Sequence, residues 1–341
     1  MNASLFEKRI RLILLAAVLL PALGHAQGLT KLRFTLDFKF SGETAHLMMA
    51  KARGYYEKEG LDVQIDVGSG SAAAVSRLAS GAYDLGIGDI TTLIEALSNN
   101  PGQVKVQAVY QLYQRAPFTI YTLKKYGITS AEQLNGKKVA AAAFESTRRV
   151  WPIAAPKMGL VSPGIQWVTT DFALKETALL RGDVDAMTSF EAGISTIYTR
   201  GVKREDVVVF RFADYGVKLY GSAILATTKL IEENPKAVAA FLRVSNRALK
   251  EAMANPPEAV RFVKLREPLV DEALELERFK STVRYFLTPD TKSVGLGAID
   301  RAELENQVNE VAAVLGLKNK PSVDLIFNSN FLPPRAERTI N

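Results

Sequence analysis

The side chains able to do chemistry fall in a few short segments. Asp37 to His46 carries acids at Asp37 and Glu43, rings at Phe38 and Phe40, and the polar residues Lys39 and Ser41. Phe38 and Phe40 can stack on a planar ring while Asp37 or Glu43 accepts hydrogen bonds from ring amino groups. Equally, Phe38 can belong to a strand core, with Lys39 and Glu43 solvated. Gly68-Ser69-Gly70-Ser71 stands between a β-rich run and an alanine-rich helical stretch, where backbone N–H groups and hydroxyls are available to an anion. Phe144-Glu145-Ser146-Thr147-Arg148-Arg149 offers Ser146 or Thr147 as a helix cap and Arg148 as a two-pronged clamp for a carboxylate or sulfonate. The alternative is two surface arginines at the start of a helix. Tyr110 and Gln111, and further on Tyr215 and Tyr220, can reach a ligand or pack as wedges.

Other chemistry is excluded by what the chain lacks. It has no cysteine and two histidines, His25 and His46, and His25 falls in a leader. A histidine-rich metal centre and a cysteine nucleophile are ruled out. A carboxylate-only hydrolase built from Asp37, Glu43, Asp89 and Glu191 stays open, as does a sensor module. With Ala73 and Asp89, the Gly68 segment meets the spacing of a dinucleotide fingerprint. That reading is set aside, because the motif should open the first βαβ unit and an exported protein seldom carries it.

Export is read from the first residues. Basic Lys8, Arg9 and Arg11 precede the apolar run Ile13 to Leu20 and the small-x-small pattern Gly24-His25-Ala26. This is a secretory signal peptide cleaved near Ala26, and its apolar run is too short to remain as a membrane span. The expected mature chain is soluble, periplasmic, monomeric and free of disulfides. The formal charge of +7 falls to +5 once the leader's three basic residues and Glu7 are removed, a mild excess that leans toward an anionic ligand. No Lys/Arg cluster is dense enough to track nucleic acid.

The elements that must position these residues alternate. Short apolar runs at Leu32 to Phe38, Val63 to Val67, Leu85 to Ile87, Val104 to Tyr110, Lys138 to Ala143, Ile165 to Val168 and Val207 to Phe212 are separated by helical patterns, which argues for parallel α/β sheets. From Asn234 the pattern turns helical, with Pro235 at a first helical position. Leu78-Ala-Ser-Gly81-Ala-Tyr-Asp84 is echoed by Leu180-Arg-Gly182-Asp-Val-Asp185, each a helix end, a glycine turn and an aspartate before a strand. Two copies predict two lobes of like construction, in which Asp89 and Glu191 occupy matching positions. The expected division is a leader over 1–26, one lobe from 27–112 plus 222–341, and a second from 113–221. Tyr110 to Pro117 and Ala213 to Ser222 are the expected crossings, and two crossings make a hinge.

Leu36-Asp37-Phe38, His46, the run from Ala50 through Gly54-Tyr55-Tyr56 to Val63, Gly68 to Ser71, Leu78 to Asp89, Leu134 to Val139 and Ala178 to Ala186 together resemble the periplasmic sulfonate, taurine and nitrate binding proteins of ABC importers. The resemblance is nearest to their thiamine-pyrimidine-binding branch. That branch shows a Pro-Asn-Thr-Asn-His-like run where this chain reads Lys39 to His46, of which only Thr44 and His46 keep their places. The resemblance implies a type II periplasmic-binding fold with a cleft between two lobes. The ligand would be a small planar or anionic solute, the partner an inner-membrane permease, and no cofactor would be needed. On this reading the ligand would be met by Asp37, Phe38, Phe40, Glu43, His46, Ser69, Gly70, Ser71, Asp89, Tyr110, Ser146, Thr147, Arg148, Glu191 and Tyr215.

Overall fold

The computed structural model describes residues 28–143, 145–160 and 164–340, so the expected leader at 1–26 lies outside the described residues. Two five-stranded sheets organise the rest. The first runs β2 (Leu61–Asp66), β1 (Thr30–Thr35), β3 (Leu85–Asp89), β10 (Ser222–Thr227), β4 (Val106–Gln111); the second runs β7 (Gln166–Thr169), β6 (Lys138–Ala141), β8 (Ala186–Phe190), β5 (Phe118–Leu123), β9 (Val207–Arg211). The two orders match strand for strand. The chain leaves the first sheet after Gln111, enters the second at Phe118, and returns between Arg211 and Ser222.

Neither sheet is wholly parallel, contrary to the alternating pattern. β1 pairs in parallel with β2 and β3, whereas β10 runs antiparallel to both β3 and β4. Likewise β6 is parallel to β7 and β8, and β5 is antiparallel to β8 and β9. Each reversed strand is the first one entered after a crossing. The chain reaches it from the carboxyl ends of its neighbours and must run against them.

The repeated aspartates clamp equivalent places. Asp84 accepts from the Arg33 N–H at 2.7 Å and donates its own N–H to the Arg33 carbonyl at 2.9 Å. Asp185 does the same with Lys138, at 2.8 and 2.9 Å. Gly81 and Gly182 turn the preceding helix at φ of +73° and +84°, which a side chain would resist. Seven residues of faint similarity thus encode one device used twice: a helix stop, then a side chain that fixes the register of the next strand.

The two crossings bond to each other. Gly221 N–H donates to the Tyr113 carbonyl at 3.0 Å, Ala116 N–H to the Leu219 carbonyl at 2.8 Å, and the Gln111 side-chain amide to the Gly221 carbonyl at 3.2 Å. From residue 234 the chain is helical, and Pro235 does open the helix Pro235–Ala254, capped by Asn234 accepting from the Ala237 N–H. Phe241 from this helix is sandwiched between Phe34 and Tyr56, with ring centroids 5.2 Å from each, and so ties the tail to the first sheet. The later helix Glu272–Phe286 packs on the turn Gly42–Thr44 that leads into Ala45–Ala52. A Cβ on Gly42 would lie 1.9 Å from the Glu275 carbonyl oxygen, so only glycine lets the loop after β1 approach this closely. No described helix is long and apolar enough to cross a membrane.

Candidate functional site

The carboxyl ends of β1, β2, β6, β7 and β8 open onto one cavity of about 600 Å³ between the sheets. Small-molecule sites span about 300–1,000 Å³, and open α/β sheets place them at this edge. The first-sheet wall comes from the loop Asp37–Thr44, from Val67–Ser71, from Leu112 and Tyr113, and from Arg278 and Phe286 of the tail. The opposite wall comes from Glu145 and Ser146, from Asp171–Lys175, and from Met187, Ser189 and Phe190. Phe38 meets Phe172 across the two halves, rings 5.6 Å apart and tilted by 59°.

The first-sheet wall is acidic and knitted to itself. Gly68 N–H donates to the Phe38 carbonyl at 2.8 Å and Gly70 N–H to the Asp37 carbonyl at 2.6 Å, which consumes two of the backbone donors expected to face an anion. The Asp37 carboxylate takes hydrogen bonds from Ser71 and Ser222 hydroxyls at 3.4 and 3.2 Å. The start of helix Ser71–Ala79 therefore already has the protein's own acid beside it. Burial, reinforced by the charge of Glu43, pushes the Asp37 carboxyl up to about 7. Glu43, bonded by the Tyr113 and Ser41 hydroxyls at 3.3 and 3.4 Å, is also raised by burial, although Arg278 opposes the shift. His46 sits in the same wall, 1% exposed, and neither ring nitrogen has a hydrogen-bond partner. Burial lowers its imidazole to about 3 and keeps it neutral.

The second-sheet wall is built on a buried ion pair. Lys175 donates to both oxygens of Glu145 at 2.9 and 2.8 Å and to the Thr188 carbonyl at 2.8 Å, while Glu145 also accepts from the Ala142 N–H at 3.0 Å and the Thr188 hydroxyl at 2.8 Å. Arg278, on the tail helix, pairs with Glu275 and reaches across to the Thr196 hydroxyl at 2.6 Å.

Of the residues picked out in the sequence, Asp37, Phe38, Glu43, His46, Ser69, Gly70, Ser71 and Ser146 line the cavity. Seven do not. Phe40 is turned into the core under the Arg266 guanidinium. Asp89 is fully buried and caps the helix Ile90–Asn99 through the Thr91 and Thr92 N–H groups. Tyr110 donates to Asn246 at 2.9 Å inside the first half. Thr147 faces away into protein, with no accessible surface. Arg148 lies on the Trp167 ring and donates to Thr169 at 3.0 Å, so its two-pronged clamp has no access to the cavity. Glu191 is engaged by Arg211, Arg284 and the Tyr285 hydroxyl, joining the second half to the tail rather than facing the cleft. Tyr215 is half-buried beyond β9 and outside the cavity. Sequence reading missed Tyr113, Phe172, Lys175, Phe190, Arg278 and Phe286, which reach the cavity only through tertiary packing.

Two matched sheets joined by two crossings, with a cavity at their carboxyl edges, define the two-lobed periplasmic-binding-protein fold. The chain belongs to the family described as NMT1/THI5 like, which matches residues 41–259. It is 25% identical over 319 residues to the riboflavin-binding protein RibY of Chloroflexus aurantiacus, covering 92% of this chain and 89% of that one. It is 24% identical over 281 residues, 77% of this chain and 78% of the other, to the 4-amino-5-hydroxymethyl-2-methylpyrimidine phosphate synthase of Aspergillus parasiticus. The fold matches the periplasmic aliphatic sulphonate binding protein SsuA from Escherichia coli with a TM-score of 0.70 at 16% identity, over 89% of this chain and 94% of that one.

Proposed function

We propose that this protein is the periplasmic substrate-binding component of an ABC-type importer, with residues 27–112 plus 222–341 as one lobe and 113–221 as the other. It captures a small planar organic solute in the cleft and presents it, as a monomer, to an inner-membrane permease. The observation that carries the reading is the cavity itself. It is of small-molecule size, lies between two halves joined by two crossings, and is closed by an aromatic pair with one ring from each half. A ligand touching both walls favours the closed arrangement because only that arrangement offers all its contacts. A carrier needs this and nothing more.

The pyrimidine-synthase relative raises a catalytic alternative. Against it, the chain has no cysteine, and its cavity histidine is held neutral by burial with both nitrogens unpartnered. The sulfonate reading is weakened by Arg148, which is spent on Trp167 and Thr169.

A thermal-shift screen with riboflavin, aminopyrimidines, aromatic acids, sulfonates, taurine and nitrate tests the proposal. Saturation at a hundredfold the dissociation constant adds about 2.7 kcal/mol of stability. The expected result is a saturable shift from a planar compound without product formation, and Phe172→Ala should weaken that compound roughly two- to tenfold. Turnover of any compound favours the enzyme, and silence from all of them removes the binding reading.

A further inference from the structure

The cavity's polar side is unbalanced, and this says what charge its occupant carries. We infer that the solute bears a positively charged nitrogen, an ammonium, amidinium or protonated amino-heterocycle, which docks between Asp37 and Glu43. The inference rests on the solute-binding reading above and names the chemistry of its ligand.

Asp37 and Glu43 come from one short loop and face one cavity. Their hydrogen bonds come from the hydroxyls of Ser71, Ser222, Tyr113 and Ser41, which supply dipoles but no compensating charge. Among the described residues, neither carboxylate has a cation within salt-bridge distance. Of the basic side chains that line the cavity, Lys175 is paired with Glu145 and Arg278 with Glu275, Arg278 acting on Glu43 only from beyond salt-bridge distance, and Arg200 donates to the Thr177 hydroxyl. Lys39 lies over the Phe38 ring, 5.7 Å from its centroid. Carboxylates left in such a place keep a proton or find a cation.

His46 is the second, independent sign of a missing partner. It is almost wholly buried in the cavity wall, and its neutral imidazole keeps one acceptor nitrogen that no protein group uses. An anionic solute meets the opposite situation, because the Asp37 carboxylate, bonded to the Ser71 hydroxyl, stands beside the start of helix Ser71–Ala79 and would repel it when ionised.

Capture of a cation should therefore displace a proton to solvent. The groups facing Asp37 are Glu43, Asp89 and Tyr113; those facing Glu43 are Arg278, Glu275, Tyr113 and Lys39. The Glu145–Lys175 pair, Glu176 and Arg200 lie across the cavity. With the Asp37 carboxyl near 7, affinity for a permanent cation should rise about tenfold between about pH 6 and pH 8, while affinity for a neutral isostere stays flat.

Calorimetry of the purified exported chain with benzamidine, benzamide and benzoate isolates the charge, since the three share one ring. The expected order is benzamidine tighter than the other two by tenfold or more, with Asp37→Asn abolishing the preference. Glu43→Gln serves as the second variant, and circular dichroism confirms that each is folded. Equal binding of all three, preference for benzoate, or an unaffected Asp37→Asn overturns the inference. A thermal shift from an anionic solute with none from benzamidine leaves the solute-binding reading standing and removes this one. Silence from every compound removes both.

Discussion

Lys175→Met should cost the folded protein about 3–5 kcal/mol, measured by chemical unfolding without ligand. Lys175 and Glu145 are each about 4% exposed, and all three lysine hydrogens are used, two on Glu145 and one on the Thr188 carbonyl. The gain from their attraction is offset by the cost of taking both charges out of water, so the pair as a whole contributes little. Removing one partner is different, because Glu145 is then a buried carboxylate with only the Ala142 N–H and the Thr188 hydroxyl to hold it. The double variant Lys175→Met with Glu145→Gln should accordingly recover much of the loss. If the single variant unfolds within about 1 kcal/mol of the parent, the pair is not closed to water as drawn, and the second wall of the cavity is looser than this geometry requires. Stability separates this wall-building role from ligand contact, since no solute is present in the measurement.

That pair was invisible in the sequence, and the reason is general to this fold. Local patterns carried the strands at Leu32, Val63, Lys138 and Val207, the helix opening at Pro235 and the repeated Gly-to-Asp turn, because each depends on residues within one element. Phe118–Leu123 and Ser222–Thr227 were not read as strands. Both are buried along their whole length and lack the two-residue alternation that marks a half-exposed strand. The candidate residues that line the cavity lie in the segments after β1, β2 and β6, among them Asp37, Glu43, Ser71 and Ser146. The failures share a cause. Arg148 is seven residues past the end of β6 and looks like a clamp, but which way it turns is decided by Trp167, a residue from another strand. Arg278 and Phe286 come from a helix more than 230 residues after the first loop, and only the positive-to-negative match of Arg278 with Glu275 at three-residue spacing hints that this helix carries something besides core. The mild positive charge of the whole chain pointed to an anion, whereas the cavity wall has unpaired acids. Net charge speaks for the outer surface and not for the lining of a cleft.

Asp89→Asn should stabilise the protein, and its advantage over the parent should widen by roughly 3 kcal/mol between about pH 5 and pH 8. Asp89 has no accessible surface; one carboxylate oxygen accepts from the Thr91 and Thr92 N–H groups at 3.0 and 3.3 Å, and the other has no partner. Two effects compete there. The start of helix Ile90–Asn99 favours a negative charge by roughly 0.3–1 kcal/mol, up to about 2 in a buried setting. Burial opposes it and wins, pushing the carboxyl up to about 7 from 3.8. A raised acid gives stability that is fully present below its unfolded value and is lost as pH climbs through the folded one, so the parent weakens from about pH 4 to about pH 7. Asparagine keeps the capping oxygen and cannot ionise, so the variant escapes that loss. His46 acts in the opposite sense, since an imidazole lowered to about 3 gains stability for the fold as pH rises toward 6.5. Because His46 is the same in both proteins, it cancels in the difference, as do the exposed pairs such as Arg301 with Asp324. A gap between variant and parent that stays constant with pH would mean that Asp89 is ionised in the folded state throughout. The helix start would then outweigh burial at this position.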